Sequence, residues 1–179
     1  MKSTQKSSLN EKVSRQTFEK NLVNFRFHRK DPFNYKSVNE GGQKIFFEVF
    51  KESADNPIRQ FGRFKKYLGI IIKLTFKTYD IENWKIVLLN NKPIGIIMPH
   101  IFPENPELGT ILNIGLIPNV RGKGYGRIIH AKGLELLKKM GAKKYIGSTD
   151  MNNHAMLRVF KANGCRKCKP DALFASYIK

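Results

Sequence analysis

The segment "NVRGKGYGRII", residues 119–129, places three glycines and three cationic side chains within eleven positions. It lies between "ILNIGLIP", whose apolar residues predict a strand, and "IIHAKGLELLKKM", whose apolar residues recur at helical spacing. Glycine allows positive φ and close approach to a ligand, and a helix N-terminus offers unpaired N–H groups with a partial positive charge. The segment therefore predicts a phosphate site at the start of a helix.

Two common phosphate motifs do not match this segment. The P-loop requires G-x-x-x-x-G-K-[ST], which is not found here. The dinucleotide fingerprint requires G-x-G-x-x-G, but Gly122, Gly124 and Gly126 form G-x-G-x-G, and Arg127 stands where the third glycine belongs. No suitable acidic residue follows about twenty positions later, as that fingerprint also requires. The segment therefore matches neither a P-loop nor a dinucleotide-binding loop, and its phosphate ligand must be recognised by another motif.

The pattern that does match is R-x-x-G-x-G, from Arg121 to Gly126. It resembles the acetyl-CoA pyrophosphate loop of the GNAT N-acyltransferase superfamily. The later segment "NHAMLRVFKANGC", residues 153–165, resembles the next segment of that family, N-x-x-M-x-R-x-F-x-x-x-G-F. The resemblance extends from about Trp84 to Cys165. It implies an α/β (α+β) fold with a mixed, mostly antiparallel sheet, a central splayed pair of parallel strands, and flanking helices.

The resemblance also implies acetyl-CoA as the co-substrate. The pyrophosphate would lie on the backbone amides of residues 122–127, and the pantetheine arm would pair with the end of the preceding strand. Asn153 would bond the amide region of the pantetheine, and Tyr125 is expected to pack within the loop. The residues assigned to the cofactor are Leu116, Ile117, Pro118, Arg121, Gly122, Lys123, Gly124, Tyr125, Gly126, Arg127, Asn153 and Phe160.

The implied reaction is direct attack of a neutral primary amine on the thioester in a ternary complex. The Leu116 N–H is the candidate for polarising the thioester carbonyl. Two residues are alternative candidates for removing the proton of the attacking amine: Asn113, which would order a water, and Asp150, which would act as a base. Asp150 has the alternative role of a helix cap.

The acid that protonates the leaving thiolate stays open. Many family members carry a tyrosine in the last helix, whereas the matching position here is Phe160. Either the thiolate leaves unassisted, or Tyr145 or Tyr177 replaces that tyrosine. Because this tyrosine is missing, a second function is also considered: a regulator that binds CoA without catalysing a transfer.

No metal site is predicted. Cys165 and Cys168 form a C-x-x-C pair, but a zinc site requires two more ligands and no second pair exists. Cys165 occupies a position where the family has phenylalanine, so we expect a core residue. The four histidines show no metal-binding spacing, and only His100, at the end of a strand, is expected near the acceptor.

Residues 1–20 are polar and basic and are predicted to form a flexible arm, and residues 21–179 a single N-acetyltransferase domain. Within this domain, the patterns predict a helix–helix–hairpin–strand–helix–strand–helix order followed by a short strand. The segments are a strand at 24–29, helices at 41–54 and 58–79, a hairpin at 84–100, a turn at 103–109, a strand at 110–118, a helix at 123–140, a strand at 143–149, a helix at 152–163, and one or two short strands after 165.

The formal net charge of +19 is compatible with three kinds of binding partner: nucleic acid, an anionic membrane surface, or a polyanionic small ligand such as CoA. A coding bias toward Lys, Asn, Ile and Phe is the competing explanation. No signal peptide or spanning segment is predicted, and the two cysteines fit a reducing, cytoplasmic compartment. The acceptor is an unidentified small molecule, protein N-terminus or lysine. A monomer or homodimer without membrane attachment is expected, and a nucleic-acid-binding basic module is the alternative.

Overall fold

A computed structural model describes residues 14–54 and 81–178 of the chain. The helix predicted at 58–79 and the first thirteen residues of the predicted arm lie outside these ranges. The strands are β1 (Arg15–Asn21), β2 (Asn34–Ser37), β3 (Lys85–Leu89), β4 (Lys92–Phe102), β5 (Asn105–Leu116), β6 (Lys144–Asp150) and β7 (Arg166–Cys168). The α-helices are α1 (Val38–Gly41), α2 (Gln43–Ser53), α3 (Tyr125–Lys139), α4 (His154–Ala162) and α5 (Ala172–Ile178).

The strands form one mixed sheet in the order β2-β3-β4-β5-β6-β1-β7. All neighbouring pairs are antiparallel except β5 and β6, which are parallel. This parallel pair is joined only at Leu108 with Lys144 and at Gly109 with Tyr145, and the two strands separate beyond these positions. The predicted fold class, including its splayed central pair, is confirmed.

The hairpin of β3 and β4 closes through a two-residue turn. Asn90 and Asn91 have φ values of 51° and 62°, a left-handed conformation that asparagine tolerates better than most residues. Two successive left-handed residues match the right-handed twist of the flanking strands. The asparagine pair that predicted the hairpin is therefore also what closes it.

Helices cover both faces of the sheet, and the two faces hold different clusters. On the α3 face, α3 and α4 pack on the strands through Leu134, Leu137 and Phe160. On the α2 face, α2 packs through Phe46, Val49 and Phe50, and α5 packs through Phe174. Because each helix has an apolar stripe of its own, both faces of the central strands are shielded.

Strand β1 corrects two predictions. It begins at Arg15, inside the segment predicted as a flexible arm, and the predicted strand at 24–29 is irregular. Thr17 and Phe18 pair with β6 on one side and β7 on the other, and both side chains are buried. The strand is specified by these distant partners rather than by a local alternation, which explains why the sequence pattern missed it.

The sequence pattern predicts one or two short strands after Cys165. This region contains one short strand, β7, followed by helix α5. The Asp171 carboxylate accepts a hydrogen bond from the Phe174 N–H at 2.8 Å, so it caps the first turn of α5. Within residues 14–54 and 81–178, no helix has the length and apolar character needed to cross a membrane.

Candidate functional site

The glycine-rich loop connects the end of β5 to the start of α3. A short 3-10 turn, Pro118–Val120, ends the strand, and Gly122 and Gly124 then take φ values of 78° and 77°. Gly124 is the N-cap of α3 and has no side chain to accept from the first amides of the helix. These amides therefore lie at an exposed helix start with its partial positive charge, the arrangement that binds an anion.

Two of the three loop cations lie beside the start of α3. Lys123 and Arg127 are both solvent-exposed. The guanidinium of Arg127 folds back over the loop, since a Cβ added to Gly124 would lie 3.3 Å from its Nη2. Lys123 and Arg127 therefore supply full charge next to the amides at the start of α3.

Arg121 has a different environment from the other two cations. Its Nε donates to the Leu116 carbonyl at 2.9 Å, and its Nη2 donates to the Ser53 carbonyl at 2.8 Å. The guanidinium thus joins the loop to the end of β5 and to the last residue of α2. From the sequence, Arg121 was predicted to face the phosphate. Its contact with Ser53, which lies 68 positions away, was not predicted.

The splay between β5 and β6 opens directly beside this loop. Ile117 donates its N–H to the Ile94 carbonyl at 2.9 Å, so the ladder with β4 uses this amide. Because N–H groups alternate in direction along a strand, those of Ile114 and Leu116 point toward β6. All six residues of Ile111–Leu116 are half-buried, although β5 is central in the sheet. The Leu116 N–H therefore faces the gap, and its role as the oxyanion donor stays a prediction.

Asn113 and Asp150 lie on opposite sides of the gap and on the same face of the sheet. Asn113 shares its face with Gly115, whose added Cβ would lie 2.7 Å from the Ser53 Oγ of α2. Asp150 shares its face with Ile146, which packs in the cluster of α5. Asn113 and Asp150 lie four and five residues beyond the last paired positions of their strands. Both polar side chains are thus presented on the α2 face of the gap.

Asp150 and Asn153 both stabilise the turn before α4. The Asp150 carboxylate accepts from the Asn152 N–H at 2.8 Å, and the Asn153 side-chain oxygen accepts from the Met156 N–H at 3.0 Å. Asn153 is therefore the N-cap of α4. Because its side-chain oxygen forms the cap, its side-chain nitrogen is the group that would bind the pantetheine. Asp150 therefore stabilises the turn before the helix and is not the helix cap that the sequence suggested as its alternative role, and its role as a base stays a prediction.

Phe160 belongs to the core. Its side chain is 1% exposed, and its ring stacks on Phe18 with centroids 4.4 Å apart. A ring enclosed in this way cannot contact a bound cofactor without repacking the core, which corrects its assignment to the cofactor site. The Tyr125 ring packs edge-on against Phe33 at 5.0 Å, so Tyr125 contributes packing to the loop, as expected, together with its backbone amide.

A buried polar network supports the first turns of α3. Asn163 donates from its amide to the Arg127 carbonyl at 3.0 Å and lies 2.9 Å from the His130 Nδ1. On the other side of the ring, the His130 Nε2 lies 3.3 Å from the Tyr145 hydroxyl. Burial lowers the pKa of His130 to about 3 and raises the pKa of Tyr145 well above its ordinary value, so both are neutral at pH 7. No sequence pattern predicted this network.

His100 is buried on the α2 face of the sheet, the face on which the half-buried Asn113 also lies. It is 4% exposed and pairs across the strands with Thr110. Burial lowers the pKa of His100 to about 4, against a smaller opposing effect of Glu104. The imidazole is therefore neutral at pH 7 and lies along β4, two residues from Met98, the partner of Asn113.

The cysteines are free thiols. Burial raises the pKa of Cys165 to about 12, so the thiol stays protonated in the core. Among the residues that the structure describes, no three His, Cys, Asp or Glu side chains are grouped closely enough to hold a metal ion.

Comparison with known proteins identifies the family. The model of the acetyltransferase (GNAT) family matches residues 46–165, about two thirds of the chain. The chain therefore belongs to the GNAT acetyltransferase family. A search of the curated proteins found no match.

Solved structures of this family share the fold. A GCN5-related N-acetyltransferase from Sphaerobacter thermophilus is 12% identical with a TM-score of 0.62, over 86% of this chain and 48% of that chain. An acetyltransferase from Colwellia psychrerythraea is 13% identical with a TM-score of 0.64, over 88% and 53%. The ribosomal-protein-S18-alanine N-acetyltransferase of Escherichia coli is 13% identical with a TM-score of 0.54, over 76% and 79%. This chain thus spans about half the length of the first two.

Proposed function

We propose that this protein transfers an acetyl group from acetyl-CoA to a primary amine by direct attack in a ternary complex. The observation that carries the proposal is the adjacency of two features: the uncapped start of α3, with Gly124 as its N-cap, and the gap between β5 and β6. The first feature binds an anion, and the second opens the sheet for an extended chain beside it. Acetyl-CoA combines these two requirements in one molecule.

The loop supports binding of the pyrophosphate. Amides at the start of α3 donate hydrogen bonds to the phosphate oxygens, and Lys123 and Arg127 add positive charge. The thioester then lies in the gap, where the Leu116 N–H is directed. A single preorganised amide aimed at the developing oxyanion contributes roughly 10²–10³-fold to the rate of an acyl transfer.

The proton of the amine needs a route away from the reaction centre. Asn113 and Asp150 lie on the same face of the gap and are the candidates, Asn113 by ordering a water and Asp150 as a base. An acid at the position of Phe160 is ruled out by the chemistry of its side chain, so the thiolate leaves without help from that position. Tyr145, at 1% exposed and with a raised pKa, is a poor proton donor for the thiolate.

The acceptor is proposed to be a neutral or anionic amine, or the amino group of a peptide. The chain carries 33 basic and 14 acidic residues, and a polycationic acceptor would be repelled by this excess. An amine flanked by carboxylates would be attracted to the same surface. The excess of charge therefore favours acidic peptides over polyamines.

The release of the CoA thiol tests the activity. Acetyl-CoA is incubated with the protein and a panel of amines that contains acidic peptides, neutral amines and a polyamine, and the acetylated product is identified by mass spectrometry. We expect protein-dependent thiol release with at least one peptide or neutral amine. Binding of acetyl-CoA without transfer to any amine would overturn the proposed activity in favour of a CoA-binding regulator.

A pair of variants at Leu116 tests the oxyanion donor. Leu116→Pro removes the N–H that faces the gap, and because this N–H is not part of the ladder with β4, the ladder is kept. Leu116→Ala shortens the same side chain and keeps the N–H. We expect kcat to fall roughly 100-fold or more in the proline variant and to change little in the alanine variant, while both still bind acetyl-CoA. Equal rates for both variants would contradict the role of this amide.

A further inference from the structure

A groove of about 470 Å³ lies on the α3 face, between α4 and the strands β1 and β7. We call it the α4 groove and define it by six of its lining residues: Phe18, Leu157 and Cys165 in its floor, and Arg158, Lys161 and Lys167 at its rim. The proposed activity uses none of these side chains. The volume falls in the range of about 300–1,000 Å³ that is typical of small-molecule sites.

The α4 groove is separate from the acetyl-CoA site. A Cβ added to Gly126 would lie 3.3 Å from Val159, so the Val159 side of α4 packs on the start of α3. Arg158 and Lys161, three positions apart, lie together on another side of the helix. The helix itself therefore stands between the loop and the groove.

The floor of the groove is apolar. Phe18 is 5% exposed and Cys165 is 9% exposed, and Leu157 is half-buried above them. Burial raises the pKa of Cys165 to about 12, which keeps its thiol neutral. A ligand body that covers this floor gains by removing apolar surface from water, so it should itself be apolar.

The rim of the groove is cationic. Arg158, Lys161 and Lys167 are all solvent-exposed, and none of the lining residues within 14–54 and 81–178 carries a carboxylate. Guanidinium and ammonium groups bind a carboxylate through charge-assisted hydrogen bonds. An anionic group at one end of the ligand therefore complements the rim, and a cationic group would be repelled.

We propose that the α4 groove binds a small amphiphilic carboxylate, with its apolar tail on Phe18 and Leu157 and its carboxylate at Lys161 and Lys167. This inference does not rest on the acetyltransferase activity, because it concerns another side of α4. Its chemistry is that of a medium-chain fatty acid. A protein segment would need an interface of roughly 1,000 Å² or more, which a groove of this size does not provide alone.

Calorimetric titration with dodecanoate, below its micellar concentration, tests the proposal. We expect saturable binding with one site, at least tenfold tighter than hexanoate because of the longer tail. The double variant Lys161→Glu/Lys167→Glu should bind dodecanoate at least tenfold more weakly. The matched double variant Lys44→Glu/Lys92→Glu changes two exposed lysines elsewhere by the same charge and should bind within twofold of the native chain.

Two further measurements locate the ligand and exclude simple adsorption. Met151 also lines the groove, so dodecanoate should shift its signal in a spectrum of protein labelled at the methionine methyl groups. Dodecyltrimethylammonium, with the same tail and opposite charge, should bind at least tenfold more weakly. The proposal is overturned if dodecanoate does not bind, if both amphiphiles bind equally, or if both lysine pairs have the same effect.

Discussion

Two buried histidines are expected to make the protein less stable in mild acid. His130 is fully buried and His100 is 4% exposed, and burial lowers their pKa values from 6.5 to about 3 and about 4. Since the folded pKa lies below the unfolded one, the unfolded state binds more protons between these values, and stability falls as the pH falls below about 6.5. Each group is protonated on unfolding but stays neutral in the folded protein at pH 5.

The magnitude follows from the width of this pH window. One pKa unit corresponds to about 1.4 kcal/mol, so lowering the pH from 7.5 to 5.0 costs about 2 kcal/mol for each histidine. The two together lower the free energy of unfolding by about 4 kcal/mol, a large part of the roughly 5–15 kcal/mol typical of a domain. We expect this loss to appear before most carboxylates are protonated.

Urea unfolding at pH 7.5 and 5.0 measures this loss, and Trp84 provides the signal because it is the only tryptophan and is 3% exposed. His130→Phe removes one of the two groups and should reduce the loss between the two pH values by about half. His154→Gln alters an exposed histidine of α4 and should leave the loss unchanged. The reasoning is refuted if native protein and His130→Phe lose the same free energy, whatever the absolute stability of the variant.

Three further predictions concern packing around the proposed site. Gly133→Val would place a Cβ 2.6 Å from the Ile111 side chain, so urea unfolding should show a loss of about 1–3 kcal/mol. Arg121→Lys removes the guanidinium that reaches Ser53, and thermal unfolding should show a loss of about 1 kcal/mol; an unchanged midpoint would contradict the contact. Phe160→Tyr places a hydroxyl in the core and should cost about 1–3 kcal/mol without raising the rate of thiol release; a faster rate would show that this position does reach the thiolate.

The local signals in the sequence predicted much of the fold. The asparagine pair at Asn90 and Asn91 predicted the hairpin, because left-handed conformations in a two-residue turn depend on those residues alone. Gly124 predicted the loop for the same reason, since its positive φ is a property of the glycine itself. Where a residue type determines its own backbone conformation, the pattern is sufficient.

Contacts between distant residues could not be predicted in this way. Strand β1 forms by pairing with β6 and β7, which lie more than a hundred positions later. Arg121 reaches the Ser53 carbonyl, and Asn163 reaches the Arg127 carbonyl, through contacts that depend on how the helices pack. Phe160 was assigned to the cofactor from the resemblance, and only its packing on Phe18 shows that it is a core residue.

Calorimetric titration with acetyl-CoA tests the central claim most directly, at low and high salt, with the native chain and two glutamate variants. Gly124 and Gly141 have φ values of 77° and 102°, so Gly124→Glu and Gly141→Glu both carry backbone strain, of about 1–2 kcal/mol or more. Only Gly124 lies at the N-cap of α3. We expect micromolar affinity for the native chain, the same within twofold for Gly141→Glu, and at least tenfold weaker binding for Gly124→Glu. Absence of binding to the native chain, or equal binding by both variants, would contradict an acetyl-CoA site at the glycine-rich loop.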